Sequence, residues 1–137
     1  MNWWSATIYC CRFGYPTDAS TSPKWPFYSA GPLAAEGAPF AVYLIDGRFR
    51  VACALASLLH GGTESLLLVH DFSTQPGVAD RGYGVLLELG AAEKLDGCCG
   101  DDGNRSNNDI LVVLRRRPGV SDAELRAMWR IWQYDVA

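Results

Sequence analysis

The sequence predicts an α/β open sheet, on three observations. Two short apolar runs, Phe40–Ile45 and Ser65–Val69, are each followed closely by an aspartate, Asp46 and Asp71. A helix-periodic stretch lies between them. A third apolar run, Ile110–Leu114, follows the polar turn "GDDGNRSNN". Continuous apolar runs of this length read as strands covered on both faces, which favours parallel strands with helices outside.

The elements follow in order. Residues 1–12 form an atypical N-terminal segment in which Thr7-Ile8-Tyr9 suits a short strand. Residues 13–39 carry five of the seven prolines together with many Gly, Ser and Thr, so an ordered loop is expected rather than a long regular element. Its aromatics, Tyr15, Trp25, Phe27 and Tyr28, suggest that the loop packs on the domain, and loops of this size are often functional.

From residue 40 to 137 the pattern is regular. After strand 40–45, Val51, Leu55, Leu58 and Leu59 make the stripe of a packed helix at about 48–60, stopped by Gly61-Gly62, with His60 in its last turn. Strand 65–69 follows, then a helix at about 79–89. Runs 92–99 and 110–114 pair as an antiparallel hairpin. Ser121-Asp122-Ala123-Glu124 is a capping box that opens a helix at about 121–133, with Leu125, Met128, Trp129 and Trp132 on one face. The order β-α-β-α-β-β-α is that of an α/β sheet built on a parallel crossover.

Composition narrows the function. One domain of 137 residues can bury a sizeable core. A net charge of -3 disfavours nucleic acid or an anionic membrane as partner, and no apolar run approaches the ~18–20 residues of a membrane span. The N-terminus lacks the pattern of a signal peptide, so a cytoplasmic location with reduced cysteines is expected. Cys10-Cys11 and Cys98-Cys99 are adjacent pairs, unlike the C-x₂-C spacing of zinc sites, and Cys53 falls in a core helix. The basic run Arg115-Arg116-Arg117 reads as a solvated strand end.

In open α/β sheets ligands bind outside the carboxyl ends of the parallel strands. Asp46 and Asp71 stand at two such ends, and His70 adjoins the second. Paired carboxylates there could hold a divalent cation or assist a base, and His70 could move a proton. The alternative is local: Asp46 caps the following helix and Asp71 starts a loop.

The blocks "YLIDGRFRVACAL", "LLVHDF", "RGYGVLLEL", "AEKLD" and "ILVVLRRRPG" resemble the second half of a class I, Rossmann-like S-adenosylmethionine-dependent methyltransferase domain. The upstream "GYPTD" and "WPFYS" resemble the loop before its fourth strand. The resemblance implies a truncated Rossmann-like three-layer sheet, with 40–45 as strand four, 65–69 as strand five and the hairpin as strands six and seven. By likeness to the macrocin O-methyltransferase type, it makes Asp46, His70 and Asp71 the catalytic set, with Asp46 and Asp71 as metal ligands. Arg48, Trp25 and Tyr28 then border the substrate. It implies S-adenosylmethionine as cofactor and a hydroxyl on a small molecule or sugar as methyl acceptor.

The family holds its cofactor on a first strand with a Gly-rich turn and on an acid ending the second strand. No such unit precedes Phe13, and Gly82-Tyr83-Gly84 falls inside an expected helix. The sequence therefore reads as a fragment inactive on its own. The exposed side of strand 40–45 then invites residues 4–11, a second copy or a partner to complete the sheet. A non-catalytic interaction module, docking through that edge or the Trp129/Trp132 helix, is the alternative function.

Overall fold

The computed structural model describes residues 10–11, 15–16, 19–70, 72, 84–95 and 111–135. Strand β1 (Cys10–Cys11) pairs antiparallel with β2 (Tyr15–Pro16) as a separate two-stranded ribbon. A 3₁₀ turn (Ala19–Lys24) leads into α1 (Pro26–Ala34). Then come β3 (Val42–Ile45), α2 (Arg50–Gly61), β4 (Leu66–Val69), α3 (Gly84–Glu88), β5 (Ala92–Lys94), β6 (Val112–Arg116) and α4 (Asp122–Trp132). The main sheet has the order β3-β4-β6-β5. β3 and β4 run parallel, and β6 is antiparallel to both its neighbours, as expected for the hairpin. The last strand therefore inserts between β4 and β5.

Register sets the core. Tyr43 lies opposite Leu67, Ile45 opposite Val69, and these in turn face Leu114 and Val112. All six are buried and share one cluster with Val51, Leu55 and Leu58 of α2, Leu86 of α3 and Leu125 of α4. The described helices thus cover one face of the sheet. On the other face Val42 and Leu44 are 51% and 66% exposed, so β3 alternates buried and exposed residues. The expected two-sided cover of 40–45 does not hold for β3, and no third layer lies among the described residues. A continuous apolar run failed to reveal this because Val42 and Leu44 are apolar on the open side too.

Three further expectations change. The segment 13–39 contains a nine-residue helix, α1, where an ordered loop was expected. Pro26 at its first position lacks only an N–H that would have no intrahelical partner, and Pro32 falls in the second half. Packing against α2 and α4 supports the helix: Ser29 is buried and its Oγ accepts a hydrogen bond from Trp129 Nε1 at 3.0 Å. Second, Cys10–Cys11 pair with β2 and not with the edge of β3; Thr7-Ile8-Tyr9 lie outside the described residues. Third, the basic run is not uniformly solvated. Arg115 and Arg117 are exposed, but Arg116 is 8% exposed. Its Nη1 donates to Asp122 Oδ1 at 2.7 Å and its Nε to the Val120 carbonyl at 3.0 Å. One guanidinium thereby ties β6 to the start of α4.

The capping box forms as predicted. Ser121 N–H donates to Glu124 Oε2 at 2.8 Å, and Glu124 N–H donates back to Ser121 Oγ at 3.2 Å. The hydrogen bond from the Ser121 backbone, then that from its hydroxyl, holds the Glu124 carboxyl below its usual range. A lowered folded-state pKa contributes stability above the unfolded value, near pH 4.3, and loses it as pH falls through the lower folded value. Glu124→Gln is therefore expected to flatten the acid limb of the stability–pH curve below about pH 5. Urea unfolding of both proteins between pH 3 and 6 checks this; identical acid limbs would remove the box from the account.

The two glycines that end α2 act differently. Gly62 adopts φ +72°, the left-handed region that favours glycine, and its N–H reaches the Leu58 carbonyl at 3.1 Å. Gly61 is the last helical residue, and a Cβ there would stand 2.6 Å from Ser65 and 2.8 Å from the Tyr43 ring. Its lack of a side chain lets α2 close onto the start of β4, where the Ser65 hydroxyl lies 2.6 Å from the Phe40 carbonyl and 2.9 Å from the Gly61 carbonyl.

Candidate functional site

The site sits at the carboxyl ends of β3 and β4. Parallel pairing of Ile45 with Val69 brings the residues that follow, Asp46 and His70, side by side, and the His70 N–H donates to the Ile45 carbonyl at 3.0 Å. His70 Nδ1 is 3.4 Å from Asp46 Oδ1. That nitrogen is buried while the two side chains are 42% and 60% exposed, so the pair lies at an open surface with one edge of the imidazole turned inward. A carboxylate so placed can orient the ring. Such contacts are often long before substrate arrives.

Asp46 does not cap α2, so the local alternative for this residue fails. The helix starts at Arg50, and the residue before it, Phe49, offers no side-chain cap. Phe49 instead adopts φ 54° and ψ 38°, a left-handed conformation costly for a residue with a Cβ. Its ring is 1% exposed and packs edge-on against Trp25, with centroids 5.7 Å apart, and against Tyr28 at 5.1 Å. Burying that ring, worth about 1.5–3 kcal/mol, offsets a backbone cost of about 1–2 kcal/mol. Tyr28 reaches further, placing its hydroxyl 3.4 Å from where a Cβ on Gly47 would be.

Five of the six site residues read from the sequence are therefore described, all at or beside the β3–α2 turn. Asp46 and His70 meet directly. Trp25 and Tyr28 flank that turn through Phe49. Arg48 lies in the turn, where its carbonyl accepts from Cys53 Sγ at 3.5 Å. Burial pushes that thiol up to about 12, in keeping with a core cysteine. Asp71 lies outside the described residues. No cluster of three metal-binding side chains occurs among the described residues, where Asp46 and His70 are two donors.

Sequence reasoning passed over Phe49, whose strained turn only backbone geometry reveals. It also passed over a second polar cluster at the opposite end of α2. There the Tyr43 hydroxyl accepts from the Phe40 N–H at 3.0 Å and lies 2.6 Å from His60 Nδ1. The dipole argument placed His60 in the last helical turn but could not see its partner on β3.

No protein-family model matches the chain, and no curated protein matches its sequence. Among solved structures, it is similar to a methyltransferase-like protein from Silicibacter pomeroyi DSS-3, with a TM-score of 0.59. The alignment covers 93% of this chain. The fold is methyltransferase-like. At 22% identity the likeness is one of fold, and the chain spans 57% of the length of that protein. The methyltransferase-like fold accounts for a mixed sheet in which the last strand is antiparallel. No helix among the described residues is long and apolar enough to cross a membrane.

Two stretches bear on the cofactor that the resemblance implies. The β3–α2 turn is occupied by its own aromatics, with Phe49 buried in it and the Tyr28 hydroxyl close over Gly47. Gly84, which ends the one G-x-G, opens α3, and Gly82 and Tyr83 lie outside the described residues.

Proposed function

We propose that the chain is a methyltransferase-like unit that positions a hydroxyl-bearing small molecule or sugar and does not transfer a methyl group alone. The observation that carries this reading is the 3.4 Å approach of His70 to Asp46 at the ends of two parallel strands. His70 accepts a hydrogen bond from the acceptor hydroxyl and would take its proton only as a methyl group arrives from a donor held outside these residues. Asp46 orients the ring and balances its charge. Arg48, Trp25 and Tyr28 border the acceptor, and Asp71 adds a second carboxylate. Asp46 and Asp71 would hold a divalent cation if the acceptor binds through one.

Calorimetry with S-adenosylmethionine tests the inactive half of the reading. No saturable binding tighter than about 1 mM is expected. Tighter binding, lost on disturbing the Asp46–Phe49 turn, would show that the chain holds the cofactor itself.

A second reading, an interaction module, is favoured by the β3 edge and its open face. Val42 and Leu44 are exposed apolar residues on a strand paired on one side only among the described residues. If a second copy covers this face, light scattering on the purified protein gives a dimer mass that Leu44→Lys reduces to a monomer. A monomer mass in both would exclude self-association through β3. The Trp129/Trp132 route to docking has less support, since both indoles pack on the core and Trp129 Nε1 is engaged by Ser29.

A further inference from the structure

A groove of about 520 Å³ lies between α1, α2 and α4, on the helical side of the molecule. Its volume is within the range of small-molecule sites, about 300–1,000 Å³. Leu33, Leu59 and Trp129 supply most of its apolar wall, with alanines from α1 and α2 between them. Three polar residues complete the lining: Arg126, Arg130 and His60. We propose that this groove binds an apolar monocarboxylate, its hydrocarbon part against Leu33, Leu59 and Trp129 and its carboxylate at the two arginines.

Charge complementarity selects the class. Arg126 and Arg130 are four residues apart on α4, so both reach the same rim. Arg126 is 4.0 Å from Asp122, which compensates part of its charge, whereas no carboxylate lies within ion-pair distance of Arg130 among the described residues. Asp122 is also held by Arg116 at 2.7 Å, so the rim carries an excess of between about one and two positive charges on a protein whose net charge is -3. An anionic head on an apolar tail matches that excess and the apolar wall together. Planar guanidinium groups pair well with carboxylates.

His60 adds a polar group to the wall. The Tyr43 hydroxyl accepts from the Phe40 N–H and lies 2.6 Å from His60 Nδ1. Nδ1 is thus spent on the protein, and the ring nitrogen left for a ligand is Nε2. Tyr43 thereby fixes the His60 ring at the groove wall.

Octanoate and octanol, equal in chain length, separate the two parts of the proposal. Calorimetry on the full chain should show octanoate saturating with a Kd below about 1 mM and octanol binding at least tenfold more weakly. In a ¹⁵N spectrum the Trp129 indole signal should move with octanoate. Arg126→Gln/Arg130→Gln should weaken octanoate at least tenfold while leaving octanol unchanged. Ala34→Phe, which narrows the groove from an exposed position, should weaken both; circular dichroism checks that each variant remains folded. Equal affinities for acid and alcohol would overturn the carboxylate assignment. Absence of saturation with octanoate, or a Trp129 signal that stays in place, would overturn the site.

Discussion

Leu55→Ala lowers the unfolding free energy by about 2–5 kcal/mol, the largest loss expected from one substitution here. Leu55 is fully buried on the face of α2 that meets the sheet, within the cluster that also takes Leu58, Leu67 and Leu114. Truncation removes the transfer free energy of the deleted carbons and leaves a cavity that the rigid strands around it fill poorly. Against a total stability of about 5–15 kcal/mol for a domain, such a loss is severe. Equilibrium urea unfolding measures it from the shift in midpoint at constant slope. A loss under about 1 kcal/mol would mean that α2 is not seated on the sheet as described, and the placement of the β3–α2 turn would fall with it.

Gly61→Ala is the second large effect, a destabilisation of about 1–3 kcal/mol despite the better helix propensity of alanine. The added methyl would enter space held by Ser65 and the Tyr43 ring. Neither can retreat cheaply: Ser65 is buried with its hydroxyl at two carbonyls, and Tyr43 is fixed between the Phe40 N–H and His60. Gly62→Ala provides the contrast. Nothing lies within 4 Å of its Cβ position, so only its backbone, at φ 72° and ψ -152°, is penalised, by about 1–3 kcal/mol. The two variants should also differ in kind. Gly61→Ala should disturb the nuclear magnetic resonance signals of His60 and Tyr43, and Gly62→Ala should leave them in place. Equal disturbance by both would contradict the close approach of α2 to β4.

Much of the sheet was legible because its signals are local. The runs at 40–45 and 65–69 and the Gly61-Gly62 stop bracket α2 within two residues of its observed ends. The Ser121–Glu124 box places the start of α4 within one. What periodicity could not show is tertiary. The open face of β3 is invisible when both sides carry apolar residues. Arg116 reads as a surface charge until its partners Asp122 and Val120 are brought to it by the turn after β6. In α1, proline content argued for a loop, yet one proline sits where a helix tolerates it and packing on α2 outweighs the other.

The site divides the same way. That Asp46 and His70 stand at strand ends follows from where the apolar runs stop, and their adjacency follows once β3 and β4 pair in parallel register. The conformation of the intervening turn does not follow. Phe49 is held in a left-handed backbone only because Trp25 and Tyr28, from a segment more than 20 residues earlier, close over its ring. A distant contact of this kind has no signature near Asp46.

The resonances of the two histidines test the claimed partnership most directly, since the chain has only His60 and His70. Asp46→Asn should shift the imidazole ¹⁵N and Cε1–H signals of His70 and leave those of His60 where they are, because His60 answers to Tyr43 at the other end of α2. A spectrum in which neither imidazole responds, or in which His60 responds as strongly as His70, would contradict the account.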